Sequence, residues 1–157
     1  MSRRDTIVMT DDEIAAYLRG KQTIVITSNG RDGVPHPVPM WFAVEGGGAI
    51  VMSTFTKSQK IQNLKRDPRV ALLAEDGEVY AELRGVLMTG EAELLSDTDD
   101  VVAILNTISR DGGDASAKAL TEAEQAGLRA QAAKRTGIRV RPQKTASWNH
   151  RKLGGVY

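Results

Sequence analysis

Two lysines, two hydroxyls and an amide crowd into one short stretch: Thr56-Lys57-Ser58-Gln59-Lys60, with Asn63 close behind. Ahead of it, Ala49 to Met52 is an apolar run of strand type. From Lys60 onward the spacing becomes helical. Ile61 and Leu64 fall inward, whereas Gln62, Lys65 and Arg66 fall outward. Cations and hydroxyls therefore sit where a strand hands over to a helix. The first turn of a helix has unsatisfied N–H donors and the positive end of the helix dipole, so it attracts anions, phosphate above all. Asp67-Pro68 ends the helix, because proline cannot continue it and restrains the residue before it. Read alone, the stretch fits a solvated, capped surface helix equally well.

Few other residues carry obvious chemistry. Pro35, Pro37 and Pro39 alternate and project to one side of a strand. They fit either an edge strand that cannot donate hydrogen bonds or a flat apolar wall against a ring that leaves backbone groups free. Trp41 fits core or dimer packing better than a stacking platform. His36 and His150 lie far apart, a poor basis for a metal or haem site. Trp148 stands in a polar tail, which favours an interface or cofactor role. No catalytic triad or acid–base pair emerges, although Tyr80 could in principle protonate a product. That absence suits hydride chemistry, in which a cofactor does the hard step.

The elements that must position these residues can be read in order. Thr10-Asp11-Asp12-Glu13 is a capping box. Thr23–Thr27 is a β-branched strand, and Asn29 to Gly33 a turn. His36–Val44 is a second strand, and Gly46-Gly47-Gly48 leads to a third at Ala49, giving a meander. Val70–Ala74 and Val79–Met88 read as further strands, with Gly85 and Gly90 marking bends. Asp97–Ser109 reads as a helix capped by Ser96 and broken at Asp111-Gly112-Gly113-Asp114. Thr121–Lys134 reads as another, with its own capping box. Gly137–Arg141 alternates as a strand that Pro142 ends, leaving 147–157 as a tail.

The expected fold is a mainly β (α+β) single domain over 1–157: a small antiparallel barrel of about six strands with peripheral helices, which the resemblance given below makes a split β-barrel. Ile24–Ile26, Met40–Val44 and Val70–Leu73 look apolar on both faces, which implies a homodimer. The chain has 157 residues, net charge +1 and no cysteine. The charge balance argues against nucleic-acid binding, and the missing cysteine excludes disulfides and Cys-based zinc sites. No apolar run has the length of a membrane span, and the start is a poor export signal, so a cytoplasmic protein is expected.

The order of motifs resembles a known family. Pro35-His36-Pro37-Val38-Pro39-Met40-Trp41-Phe42 is followed by Thr56 to Lys60, by Asn63-Leu64-Lys65-Arg66-Asp67-Pro68-Arg69-Val70, by Arg84-Gly85-Val86, and by Ser147-Trp148-Asn149-His150-Arg151-Lys152-Leu153. The chain is similar over nearly its whole length to the pyridoxamine-5′-phosphate-oxidase-like split β-barrel proteins, in particular the actinobacterial flavin and deazaflavin dependent oxidoreductases. The resemblance implies a homodimer of FMN-binding split-barrel type, with two cofactor sites at the interface. It implies FMN or coenzyme F-420, an 8-hydroxy-5-deazaflavin, with F-420 preferred. The cofactor phosphate would meet Lys57, Ser58, Lys60 and Asn63. The ring would lie along Val38, Pro39, Met40, Trp41, Ser53 and Thr54. Trp148 and Lys152 would belong to a tail reaching a site, the partner's. The implied activity is hydride transfer from F-420 to a small or medium conjugated acceptor. The alternatives are an FMN oxidoreductase of the same fold, or a flavin, deazaflavin or haem carrier without turnover. The chain departs from true pyridoxamine-phosphate oxidases, being shorter and lacking their full set of substrate-phosphate arginines and histidine.

Overall fold

The computed structural model describes residues 3–109 and 121–155; the glycine-rich break expected at 111–114 lies outside them. Seven antiparallel strands form one sheet: β1 (Thr23–Asn29), β2 (Pro35–Trp41), β3 (Ala43–Val44), β4 (Ile50–Phe55), β5 (Arg69–Asp76), β6 (Arg84–Leu95) and β7 (Arg135–Asn149). Their order is β2-β1-β5-β6-β7-β4-β3. The sheet curls, so β2 and β4 come within 8 Å between Cα atoms without pairing. The expected three-strand meander is therefore interrupted at the seam between β2 and β4. Seven strands replace the expected six because the proline-rich strand breaks at Phe42.

Alternation decides which side of each strand is buried. Ile24 and Ile26, Leu72, Val86 and Met88, Ile50 and Met52, and Ile138 and Val140 turn inward and form the core. Among the described residues five α-helices surround the sheet: α1 (Arg3–Ile7), α2 (Asp11–Arg19), α3 (Gln59–Arg66), α4 (Thr98–Ser109) and α5 (Glu122–Ala132). The capping boxes read at Thr10 and Thr121 are both formed. Ile61 and Leu64 bury one face of α3 in the core, while Tyr17 and Leu18 do so for α2. On the opposite side of β4 and β7, Ile104 of α4 packs with Ala43 and Val51, and its Cδ1 lies against the bare Cα of Gly137.

Three boundaries differ from expectation. Residues 80–82 form a 3-10 turn, and the strand expected from Val79 starts at Arg84 and runs on to Leu95. Asp97, not Ser96, caps α4, its carboxylate accepting from Asp99 N at 2.8 Å. Pro142 does not end β7. It sits opposite Gly90, a register shift between Thr89 and Gly90 leaves Gln143 as the extra residue beside it, and pairing continues to Asn149. The expected tail therefore starts inside a strand.

Candidate functional site

The seam is defined by which backbone groups lack partners. In an antiparallel ladder, successive residues point their N–H and C=O alternately toward and away from one neighbour. Phe42 N donates to Gln22 O, and Gly30 N to Val34 O, so even-numbered residues of β2 face β1. Pro35, Pro37, Pro39 and Trp41 consequently point their backbone groups away from the sheet. The prolines present carbonyls there and no donors. On the other bank, Thr56 N donates to Lys134 O, so even residues of β4 face β7. Ser53 and Phe55 thus turn their N–H groups toward the seam. Their carbonyls face the same way, so this bank offers both donors and acceptors, whereas on β2 only Trp41 adds an N–H to the proline carbonyls.

The side chains divide the same way. Pro39 and Trp41 face outward, Trp41 with 63% of its surface exposed, whereas Val38 and Met40 pack against the core. A ring along this strand can meet the first pair; the second pair backs it. Ser53 and Thr54 likewise project to opposite sides of β4.

At the end of β4 the chain turns tightly, with Ser58 N donating to Phe55 O at 2.9 Å, and enters α3 with Ser58 as the N-cap residue. Ser58 makes no capping bond, and its Oγ is buried without a partner. An unmet buried hydroxyl is costly, so this is the atom that a ligand oxygen would satisfy. Lys60 Nζ donates to Thr54 Oγ1 at 3.2 Å, and burial holds its pKa below the usual lysine range. Lys57 is exposed beside it. Neither lysine forms an ion pair among the described residues. Asn63 has another task. Fully buried, it donates to Ser28 Oγ at 3.0 Å and accepts from Gln59, which fastens α3 to β1.

Arg135 was not anticipated. It begins β7 opposite Phe55, stacks over that exposed ring at 4.8 Å, and reaches Ser53 O and Oγ at 3.5 Å. Its signal was the alternation of Arg135, Arg139 and Arg141, read only from Gly137 onward. Arg139 and Arg141 are committed to Glu45 and Glu93.

The tail residues lie elsewhere on the chain. Trp148 is half-buried on β7 beside Gly85. Lys152 donates to Val8 O at 2.8 Å and pairs with Glu13 at 2.6 Å, so within this chain it clasps the N-terminal segment. His150 Nδ1 lies 2.8 Å from Tyr80 O; the carbonyl can only accept, so Nδ1 carries the proton. His36 Nδ1 is buried and unpartnered, but no group of three or more potential metal ligands exists among the described residues.

Comparison with known proteins agrees with this fold. The conserved hypothetical protein Rv2991 from Mycobacterium tuberculosis is 36% identical over all of this chain and 95% of its own, with TM-score 0.87. A structure described as F420 reductase is 27% identical over 83% of this chain and 93% of its own, with TM-score 0.60. The FAD binding protein from Mycobacterium smegmatis shares the fold at 18% identity, over 90% of this chain and 98% of its own, with TM-score 0.59. No curated protein matches the sequence. The profile of pyridoxamine 5′-phosphate oxidase matches residues 10–149, from the capping box of α2 to the last residue of β7. With the split antiparallel sheet and the basic turn at the start of α3 both inside that span, the chain belongs to the pyridoxamine 5′-phosphate oxidase family.

Proposed function

We propose that this protein is an oxidoreductase that holds coenzyme F-420 and passes hydride to a small or medium conjugated acceptor. The observation that carries the reading is the buried, unpartnered Ser58 hydroxyl, set between Lys57 and Lys60 at the start of α3. These residues fit a phosphate, with the two ammonium groups offsetting its charge and the hydroxyl and first-turn N–H groups donating to its oxygens. Pro39 and Trp41 offer an outward apolar surface to a planar ring. The proline carbonyls of β2 and the Ser53 and Phe55 N–H groups of β4 suit a heterocycle with both donors and acceptors at its edge. When bound, the deazaflavin supplies the hydride chemistry, while the chain supplies orientation and charge. The 27% identity to an F420 reductase supports this choice. FMN is the second reading, because the same phosphate site suits it.

A second copy completes the reading. On the outer face, Pro39, Val25, Leu73, Leu87 and Ala146 stand side by side across five strands. Trp148 lies in the next row, over Gly85. An apolar band of this kind is suited to a twofold partner, which would bring its Trp148 toward the seam. No helix among the described residues is long and apolar enough to cross a membrane. The test is fluorescence titration of ligand-free protein with F-420 and FMN, followed by an acceptor screen. Saturable F-420 binding with acceptor reduction supports the proposal, and binding of neither defeats it.

A further inference from the structure

The curled sheet has a reason to close that it does not use. β3 pairs with β4 through Ala43↔Val51 and Val44↔Ile50, and Glu45 N donates to Ala49 O. Odd-numbered residues on this side therefore face β4. The outward groups of β2 are odd-numbered too, so β2 and β3 share one hydrogen-bonding parity across Phe42. Continuing the β3–β4 register backwards sets Trp41 opposite Ser53 and Pro39 opposite Phe55. Both would be hydrogen-bonded pairs, and the barrel would zip shut. Yet no backbone hydrogen bond joins β2 to β4 among the described residues. At the second of these pairs, the residue that would donate to Phe55 O, beside the Ser58 N–H already bonded there, is a proline.

We propose that Pro39 is a positioning residue that holds the β2–β4 seam open. A proline there removes the donor and places ring atoms where the N–H would point, so a ladder extended from β3, which in this structure stops at Ala43, could not pass Trp41. The Phe55 N–H and the Pro39 carbonyl then stay available to a ligand rather than to each other. Pro37 has a different place. The same register puts it opposite Lys57, beyond the end of β4 at Phe55, where no strand remains to zip against. This inference rests on the seam being the cofactor's ring site, but the opening of the seam itself can be read without any cofactor.

The experiment compares the wild type with Pro39→Val and Pro37→Val. Each substitution introduces a backbone amide where the proline had none, and hydrogen exchange is followed at that amide. The affinities of F-420 and FMN are measured by fluorescence. The amide introduced by Pro39→Val is expected to be protected at least tenfold relative to the one introduced by Pro37→Val. Cofactor affinity is expected to fall at least tenfold in Pro39→Val. Pro39→Ala gives the same readout should the branched side chain disturb the fold. Equally fast exchange of the two introduced amides would overturn the proposal, as would protection in Pro39→Val without loss of affinity. A wild type that binds neither cofactor defeats the site reading instead, and the exchange rates alone then decide whether Pro39 holds the seam.

Discussion

Gly85 and Trp148 face each other across β6 and β7, and the indole occupies the space a side chain would need: a Cβ on Gly85 would stand 2.1 Å from Trp148 Cζ2. The glycine was legible in the sequence as a bend, and the tryptophan as a tail residue. Together they are a seat and its occupant.

Gly85→Ala is expected to displace the indole. The cost should be about 1–3 kcal/mol, the range for overpacking. In a Trp41→Phe background only Trp148 would report, because the chain has two tryptophans. A shifted emission maximum and a lower Tm are expected; unchanged emission would mean that Trp148 does not rest on Gly85.

Ser58→Ala and Lys60→Ala separate binding from folding. The Ser58 hydroxyl is buried without a partner, so its removal should leave stability the same or slightly higher. Either variant should weaken cofactor binding by about 1–3 kcal/mol, as expected for losing a charge-assisted partner. Folded variants with wild-type affinity would remove the phosphate from this turn.

The ionisation of Tyr17 gives an alkaline test. Burial and the nearby Asp76 carboxylate push its phenol up to about 12. Because the folded value lies above that of an unfolded tyrosine, near 10, the associated stability is complete below pH ~10 and is lost as pH rises toward 12. Absorbance titration should show one late phenol that Tyr17→Phe abolishes. A late step that survives the substitution would refute the assignment.

Acid works in the opposite direction. Hydrogen bonds from Arg69 and Asn29 hold the Asp67 carboxyl below its usual range. The folded pKa is depressed, so its stabilisation is present above about pH 4 and fades as pH falls through the folded value. Tm should fall more steeply below pH 4 in the wild type than in Asp67→Asn. Parallel curves would show that the carboxylate contributes nothing.

Much of this architecture was legible because local signals agreed with the fold. Thr10 and Thr121 begin helices through capping boxes that need no tertiary help. Ile61 and Leu64 repeat at helical spacing, and both are buried. Legibility failed where long-range pairing overrode a local cue. Pro142 looks like a strand end, and only the irregularity opposite Gly90 lets β7 pass it. Val79 to Leu83 is strand-like in composition but turns outward, with Val79 and Tyr80 exposed. The resemblance places Asn63 among the phosphate contacts, and nothing local announces its bond to Ser28, 35 residues away. Arg135 shows the same limit, since its place beside Ser53 and Phe55 follows from the β4–β7 register and from nothing near it in sequence.

The outer apolar band gives a test of assembly. Light scattering should report about twice the 17.0 kDa chain mass. Leu87→Asp, placed in the middle of the band, should shift the population toward monomer, since a charge there would have to be buried against the second copy. A wild type that is monomeric yet binds cofactor would remove the two-copy site.

The most direct measurement is a titration of ligand-free wild-type protein and Lys60→Ala with F-420 and with FMN, followed by fluorescence. Saturable binding by the wild type, tighter for F-420, is expected, with affinity falling at least tenfold, or about 1.4 kcal/mol, in the variant. Binding of neither cofactor, or equal affinity in both proteins, would contradict the proposed site.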